Sequence, residues 1–137
     1  MRTRRGASAI EFALTLPVLI VIVAAITEYG WVLHQRAQLV RAVREGVRLG
    51  VVGPNSSNPV PSTTAILRTR ELLEEFAFDM STATVTAQLT NQHADAANTD
   101  DTMAVTAVVR YQPLMGGLVP SPVDIDASLT MMLQDAN

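Results

Sequence analysis

The chain has 137 residues, room for about one domain, and no cysteine, so neither a disulfide framework nor a thiolate metal site is available. Residues 1–48 hold seven arginines against Glu11, Glu28 and Glu45, a net +4; residues 49–137 hold three arginines against ten acids, a net −7. Nucleic-acid binding needs clustered positive charge to neutralise phosphates, and the acidic distal part argues against it, whereas the basic proximal part is placed to meet lipid headgroups.

From Phe12 to Thr27 the sequence is uncharged and rich in Leu, Ile, Val and Ala. A spanning helix needs about 20 apolar residues, and Tyr29-Gly30-Trp31-Val32-Leu33 extends this run past Glu28. Tyr and Trp are the rings that settle at membrane interfaces. Pro17 removes one helical hydrogen bond and predicts a kink. The reading is a transmembrane helix from near Ala7 to about Leu33, with Arg2, Arg4 and Arg5 holding the N-terminus in the cytoplasm. A secretory signal peptide cut after Val23-Ala24-Ala25 is the competing reading. Against it, Glu11 falls between the basic and apolar regions, and the helical pattern runs through the supposed cut. Glu11 is itself the oddity of the run, since an unpaired carboxylate costs about 2.5–3.5 kcal/mol at a bilayer centre and less near its edge. Either it marks the interface or it has a partner.

The helix pattern continues beyond the span. Leu33, Ala37, Val40, Val47 and Val51 fall close to one stripe, with Arg41, Arg44, Glu45 and Arg48 on another face and Arg41–Glu45 at a favourable four-residue spacing. Such a charged face is either solvated or docked against neighbouring subunits or headgroups. Gly50 and Gly53-Pro54 stop the helix.

Arg4-Arg5-Gly6 followed by Ala7-Ser8-Ala9-Ile10-Glu11-Phe12 resembles the prepilin-peptidase site of type IV-like pilins. That resemblance implies cleavage between Gly6 and Ala7 on the cytoplasmic side, making Glu11 the fifth residue of the mature chain. The residue types suit the step. Gly6 lets an extended backbone enter a peptidase cleft, and Ala7 beside it is small. Cleavage creates an amine with a pKa near 7.7–8.0, which a carboxylate about one helical turn away neutralises in the same chain or a stacked neighbour. With Pro17, Glu28-Tyr29-Gly30 and Arg44-Glu45-Gly46-Val47-Arg48 following in order, the first fifty residues are similar to the TadE-like family, pseudopilins of the Tad (tight adherence) pilus machinery. The resemblance implies a pilin-like fold and a minor pilin of the bacterial inner membrane, with the distal domain in the periplasm or carried into an extracellular pilus. It further implies as partners a prepilin peptidase, other minor and major pilins, the assembly platform and the bilayer.

Residues 51–62 read as a loop, and Ser62 or Thr63 is placed to cap a second helix running to about Asp79. Its apolar stripe is Ile66, Leu73, Phe76 and Met80, and its acidic side Glu71, Glu74 and Glu75. Three alternating segments follow: Thr82–Leu89, Thr102–Tyr111 and Val123–Leu133, with threonines opposite the apolar sets. Asp100-Asp101 lacks the spacing of a calcium loop. Leu114, Met115, Leu118 and Val119, between Gly and Pro residues, either tuck under the sheet or form an exposed patch for a partner.

The expected architecture is α+β: a leader (1–6), a long transmembrane and amphipathic helix (7–52), and a small domain (62–137) with a short helix and a three-stranded, mostly antiparallel sheet. His34 and His93 fall on different elements, and no nucleophile elbow, P-loop or dinucleotide fingerprint occurs, so no catalytic or metal residues and no cofactor are assigned. The expected activity is that of a peptidase substrate and assembly subunit rather than an enzyme. A permanently anchored periplasmic binding module is the alternative.

Overall fold

An uncharged apolar run that passes without a helix stop into an arginine-rich amphipathic segment gives one continuous helix. In the computed structural model, which describes residues 4–52, 61–90, 102–115 and 123–132, α1 spans Arg4–Val52 and continues unbroken through Pro17. Its 49 residues extend roughly 73 Å at 1.5 Å per residue. The two halves face different surroundings. From Ser8 to Thr27 every residue except Ala24 is exposed, including Leu14, Val18, Ile22 and Ile26. An 18-residue window in this helix has a mean hydropathy of 2.6 and is left uncovered among the described residues. That is long and apolar enough to cross a membrane, compatible with a single-pass anchor.

The distal half of α1 is a core helix. Its buried residues are Glu28, Gln35, Leu39, Ala42, Val43, Gly46, Val47 and Gly50, which recur at three- and four-residue steps as one stripe. This corrects part of the expected stripe: Val47 is on it and Val40 and Val51 pack against its edge, but Leu33 is 48 % exposed and Ala37 is exposed too. Much of the true stripe is polar or lacks a large side chain, so hydrophobicity alone places its centre off to one side. The expected Arg41–Glu45 pair is replaced by Glu45 with Arg48, at 3.5 Å.

The second helix, α2, spans Pro61–Glu75. Proline suits a first helical position, where its missing N–H leaves no bond unmade. Ser62 and Thr63 therefore lie inside the first turn rather than capping it. The helix stops four residues before the expected end, through a Schellman closure: the amide of Phe78 donates to the carbonyl of Leu73 (3.0 Å), that of Ala77 to Glu74 (3.0 Å), and Ala77 takes a φ of 59°. Asp79 then folds the chain toward the sheet, accepting at one carboxylate oxygen from the Ser81 amide (2.9 Å) and hydroxyl (2.7 Å). These bonds lower its pKa from the usual carboxylate value.

The strands β1 (Thr84–Thr90), β2 (Thr102–Arg110) and β3 (Asp124–Met132) form an antiparallel sheet in the order β1-β2-β3. Period-two alternation puts Met103, Val105, Ala107 and Val109 of β2 inward, in register with Leu89, Ala87, Val85 of β1 and with Met131, Leu129, Ala127, Ile125 of β3. The inner face packs on α1 and α2 through Leu39, Val43, Val47 and Leu73. Leu89 (39 % exposed) and Met131 (37 % exposed) lie beside fully buried Met103 yet remain accessible, because they belong to the flanking strands. The expected inward position of Leu133, and the segments around His93, Asp100-Asp101, Leu118 and Val119, lie outside the described residues.

Two glycines bring α1 against its neighbours. A Cβ on Gly46 would stand 1.9 Å from the Thr69 hydroxyl and 2.9 Å from the Ala65 carbonyl; one on Gly50 would stand 2.4 Å from the Met103 sulfur. The Gly46 neighbours are hard to displace, since buried Thr69 donates its hydroxyl to Ala65 O (2.8 Å). Gly46→Ala is therefore expected to lower stability by about 1–3 kcal/mol, as overpacking does. Ala77→Gly, which relieves a left-handed alanine, is expected to raise it by up to about 1 kcal/mol. Thermal melts of the two variants should shift in opposite directions.

Candidate functional site: the processing junction and the Glu28 clasp

The residues singled out by sequence divide between the two ends of the exposed half of α1. At its start, Gly6 and Ala7 are helical, Gly6 is exposed, and a Cβ on Gly6 would meet nothing within 4 Å. Glu11 and Phe12 follow on the same helix, both exposed, Phe12 by 64 %. Among the described residues no side chain bonds or pairs with Glu11. One turn farther on, Pro17 has no N–H to offer the Ala13 carbonyl. The Thr15 hydroxyl donates to Phe12 O at 3.1 Å, and the Thr27 hydroxyl to Val23 O at 2.9 Å, which satisfies both hydroxyls within an apolar helix.

At the other end the Glu28-Tyr29-Gly30 motif separates into distinct roles. Glu28 is 2 % exposed and its carboxylate collects three donors. The Tyr111 hydroxyl donates to Oε1, the Leu114 amide to Oε1 at 3.1 Å, and the Met115 amide to Oε2 at 3.0 Å. Next to it, Trp31 Nε1 donates to the Gln112 carbonyl at 3.1 Å, and the Trp31 ring stacks on His34 with centroids 5.6 Å apart. The turn after β2 is thus clasped to α1 at four points within one helical turn. Tyr29 is 66 % exposed, and Gly30 faces open space. Because Glu28, Gln35 and, in part, Trp31 and Val32 are covered by this domain, the bare apolar run ends near Thr27 rather than at Leu33.

Tyr111 is the other half of the clasp. It sits at the end of β2, 3 % exposed, and its amide donates to Val123 O at 2.8 Å. Burial, helped by the adjacent Glu28 carboxylate, pushes its phenol up to about 12. The sequence reading places Tyr111 inward but misses its partner. The available signal was that a buried tyrosine needs a polar contact and an acid in an apolar run needs donors.

In the second motif Gly46 and Val47 are engaged in packing. Arg44 and Arg48 are exposed, Glu45 is half-buried, and Arg41 is exposed beside them. Outside the motifs, Arg68 and Glu71 of α2 pair at 2.7 Å, a bond that raises the arginine pKa. Among the described residues no cluster of His, Cys, Asp or Glu has the arrangement to hold a metal ion.

Residues 6–48 match the family model described as TadE-like protein. The match begins at Gly6, ends at Arg48, and takes in Glu11, Pro17 and both motifs; α2 and the sheet lie outside it. It agrees with the family that the N-terminal residues resemble, and it associates the chain with the Tad pilus. No curated protein and no solved structure matches the chain.

Tyr111→Phe removes one hydrogen bond to a buried carboxylate and is expected to cost about 1.5–3 kcal/mol. The sign with pH follows from a phenol raised from 10.0 to about 12. The stability it contributes is intact below pH ~10 and is lost as pH rises through ~12. In a spectrophotometric titration of the folded protein, the late-ionising tyrosine should be absent from Tyr111→Phe.

Proposed function

We propose, from the TadE-like N-terminal segment, that this chain is a minor pilin or pseudopilin of a Tad-type pilus. In this reading α1 crosses the inner membrane with the N-terminus in the cytoplasm and the sheet domain in the periplasm. A prepilin peptidase cuts between Gly6 and Ala7, and the peptidase supplies the chemistry; this chain is its substrate and is not itself an enzyme. The mature helix then joins other pilins at the assembly platform, to initiate, cap or enter the fibre.

The observation that carries the reading is the contrast between the two acids of one apolar helix. Glu28 has every donor it needs from its own chain. Glu11 is exposed, is followed by an exposed Phe12 and lies four residues after Ala7. In a helix residues i and i+4 share a face, so a new amine at Ala7 and the Glu11 carboxylate come together in one chain or across two stacked helices. An ionisable group near a membrane edge with no partner among the described residues fits one whose partner arrives on processing and assembly. Exposed Arg41, Arg44 and Arg48, clear of the core, are available to neighbouring subunits in the same bundle.

The intact mass of the protein extracted from membranes of cells with an active prepilin peptidase tests this. A mature chain beginning at Ala7 is expected. A start at Ile26 would identify a signal peptide, and an uncut chain would identify a permanent anchor carrying a binding module; either result overturns the pilin reading.

A further inference from the structure

The Glu28 clasp fixes the height of the turn it holds. A helical side chain leans toward the helix N-terminus and covers the turn before its own Cα. The amides of Leu114 and Met115 bonded to Glu28, at 3.1 and 3.0 Å, are therefore level with the last turn of the bare run Ser8–Thr27, and not with the body of the sheet. Trp31, bonded to the Gln112 carbonyl, holds the other end of the same turn.

At that height two apolar side chains are left uncovered: Leu114 is 53 % exposed and Met115 43 %. The two backbone amides beneath them are already satisfied, both being spent on the carboxylate. Irregular backbone is barred from the hydrocarbon interior, but at the headgroup–acyl boundary carbonyls still reach water, and here no amide of the two residues is left unpaired. On another face of α1, exposed Tyr29 lies at the same level, in the zone where aromatic rings collect at membrane boundaries.

We infer that the 112–115 turn is a second membrane contact, with Leu114 and Met115 entering the headgroup–acyl boundary of the bilayer that α1 crosses. The occupant is phospholipid rather than another protein, because the turn is continuous with the bare helical surface and is tied to it within one turn of its end. The domain is thereby seated on the membrane instead of swinging above it on a stalk. This inference rests on reading α1 as a spanning helix.

The chain has no cysteine, so single-cysteine labelling is unambiguous. Leu114→Cys, Met115→Cys, Leu19→Cys in the bare run and Ser128→Cys on the exposed face of β3 are each labelled with an environment-sensitive dye. The full chain is then placed in phosphatidylcholine–phosphatidylglycerol vesicles, and quenching by a lipid-borne nitroxide is compared with quenching by aqueous iodide. The expected result is severalfold stronger lipid-borne quenching at 114 and 115 than at 128, from a shallower depth than at 19. Lipid contact at 19 with aqueous exposure at 114 and 115 overturns the inference and leaves the span intact. Shielding of 114 and 115 from both quenchers marks protein contact and also overturns it. Aqueous exposure at 19 removes the spanning helix, and the inference with it.

Discussion

Glu28 stands where one helix passes from a bare apolar surface to a packed one. Before it, α1 exposes leucines, valines and isoleucines on all sides; after it, the same helix buries a stripe and exposes arginines. A carboxylate at such a boundary is costly unless it is fully hydrogen-bonded. Its donors come from Tyr111, Leu114 and Met115, more than eighty residues away in sequence. The helix therefore acquires its place in the domain only when β2 and the turn after it have formed, and the sheet in turn is anchored where the bare run ends.

The rest of the core follows from the closeness that this anchor permits. Gly46 lets α2 lie directly against α1, and Gly50 admits Met103 from the central strand. Helix α1 thus serves as the wall on which both α2 and the sheet are built, rather than as a tether ahead of a separate domain. A displacement of the helix stem is carried straight into the packing of the sheet. For a subunit that enters an assembly by its helix, such a connection keeps the orientation of the domain fixed to that of the stem.

Much of this architecture is legible in sequence because it depends on repeated, local signals. The apolar run gives the long helix; strict alternation from Met103 to Tyr111 gives the central strand and its inward face. The buried stripe of α1 is not legible in the same way, since Glu28, Gln35, Gly46 and Gly50 carry no hydrophobic signal and are buried for tertiary reasons. The early end of α2 is hidden for a similar cause: Ala77 is not a residue that advertises a left-handed stop, and the closure relies on Leu73 and Phe78 packing into the core. Of the motif residues, the structure explains Glu28, Gly46 and Val47 within the single chain. Gly6, Glu11, Phe12, Tyr29, Gly30, Arg44 and Arg48 face outward, and the packing of the single chain does not explain them.

That division is the core of the account: Glu28 is used within the chain, and in the proposed reading Glu11 awaits the amine that cleavage before Ala7 would release. The most direct measurement is piliation in cells whose only copy of the protein carries Glu11→Ala, with N-terminal sequencing of the protein alongside. Normal cleavage after Gly6 with loss of pili is the predicted result. Normal cleavage with normal pili would contradict the pairing of Glu11 with the new N-terminus.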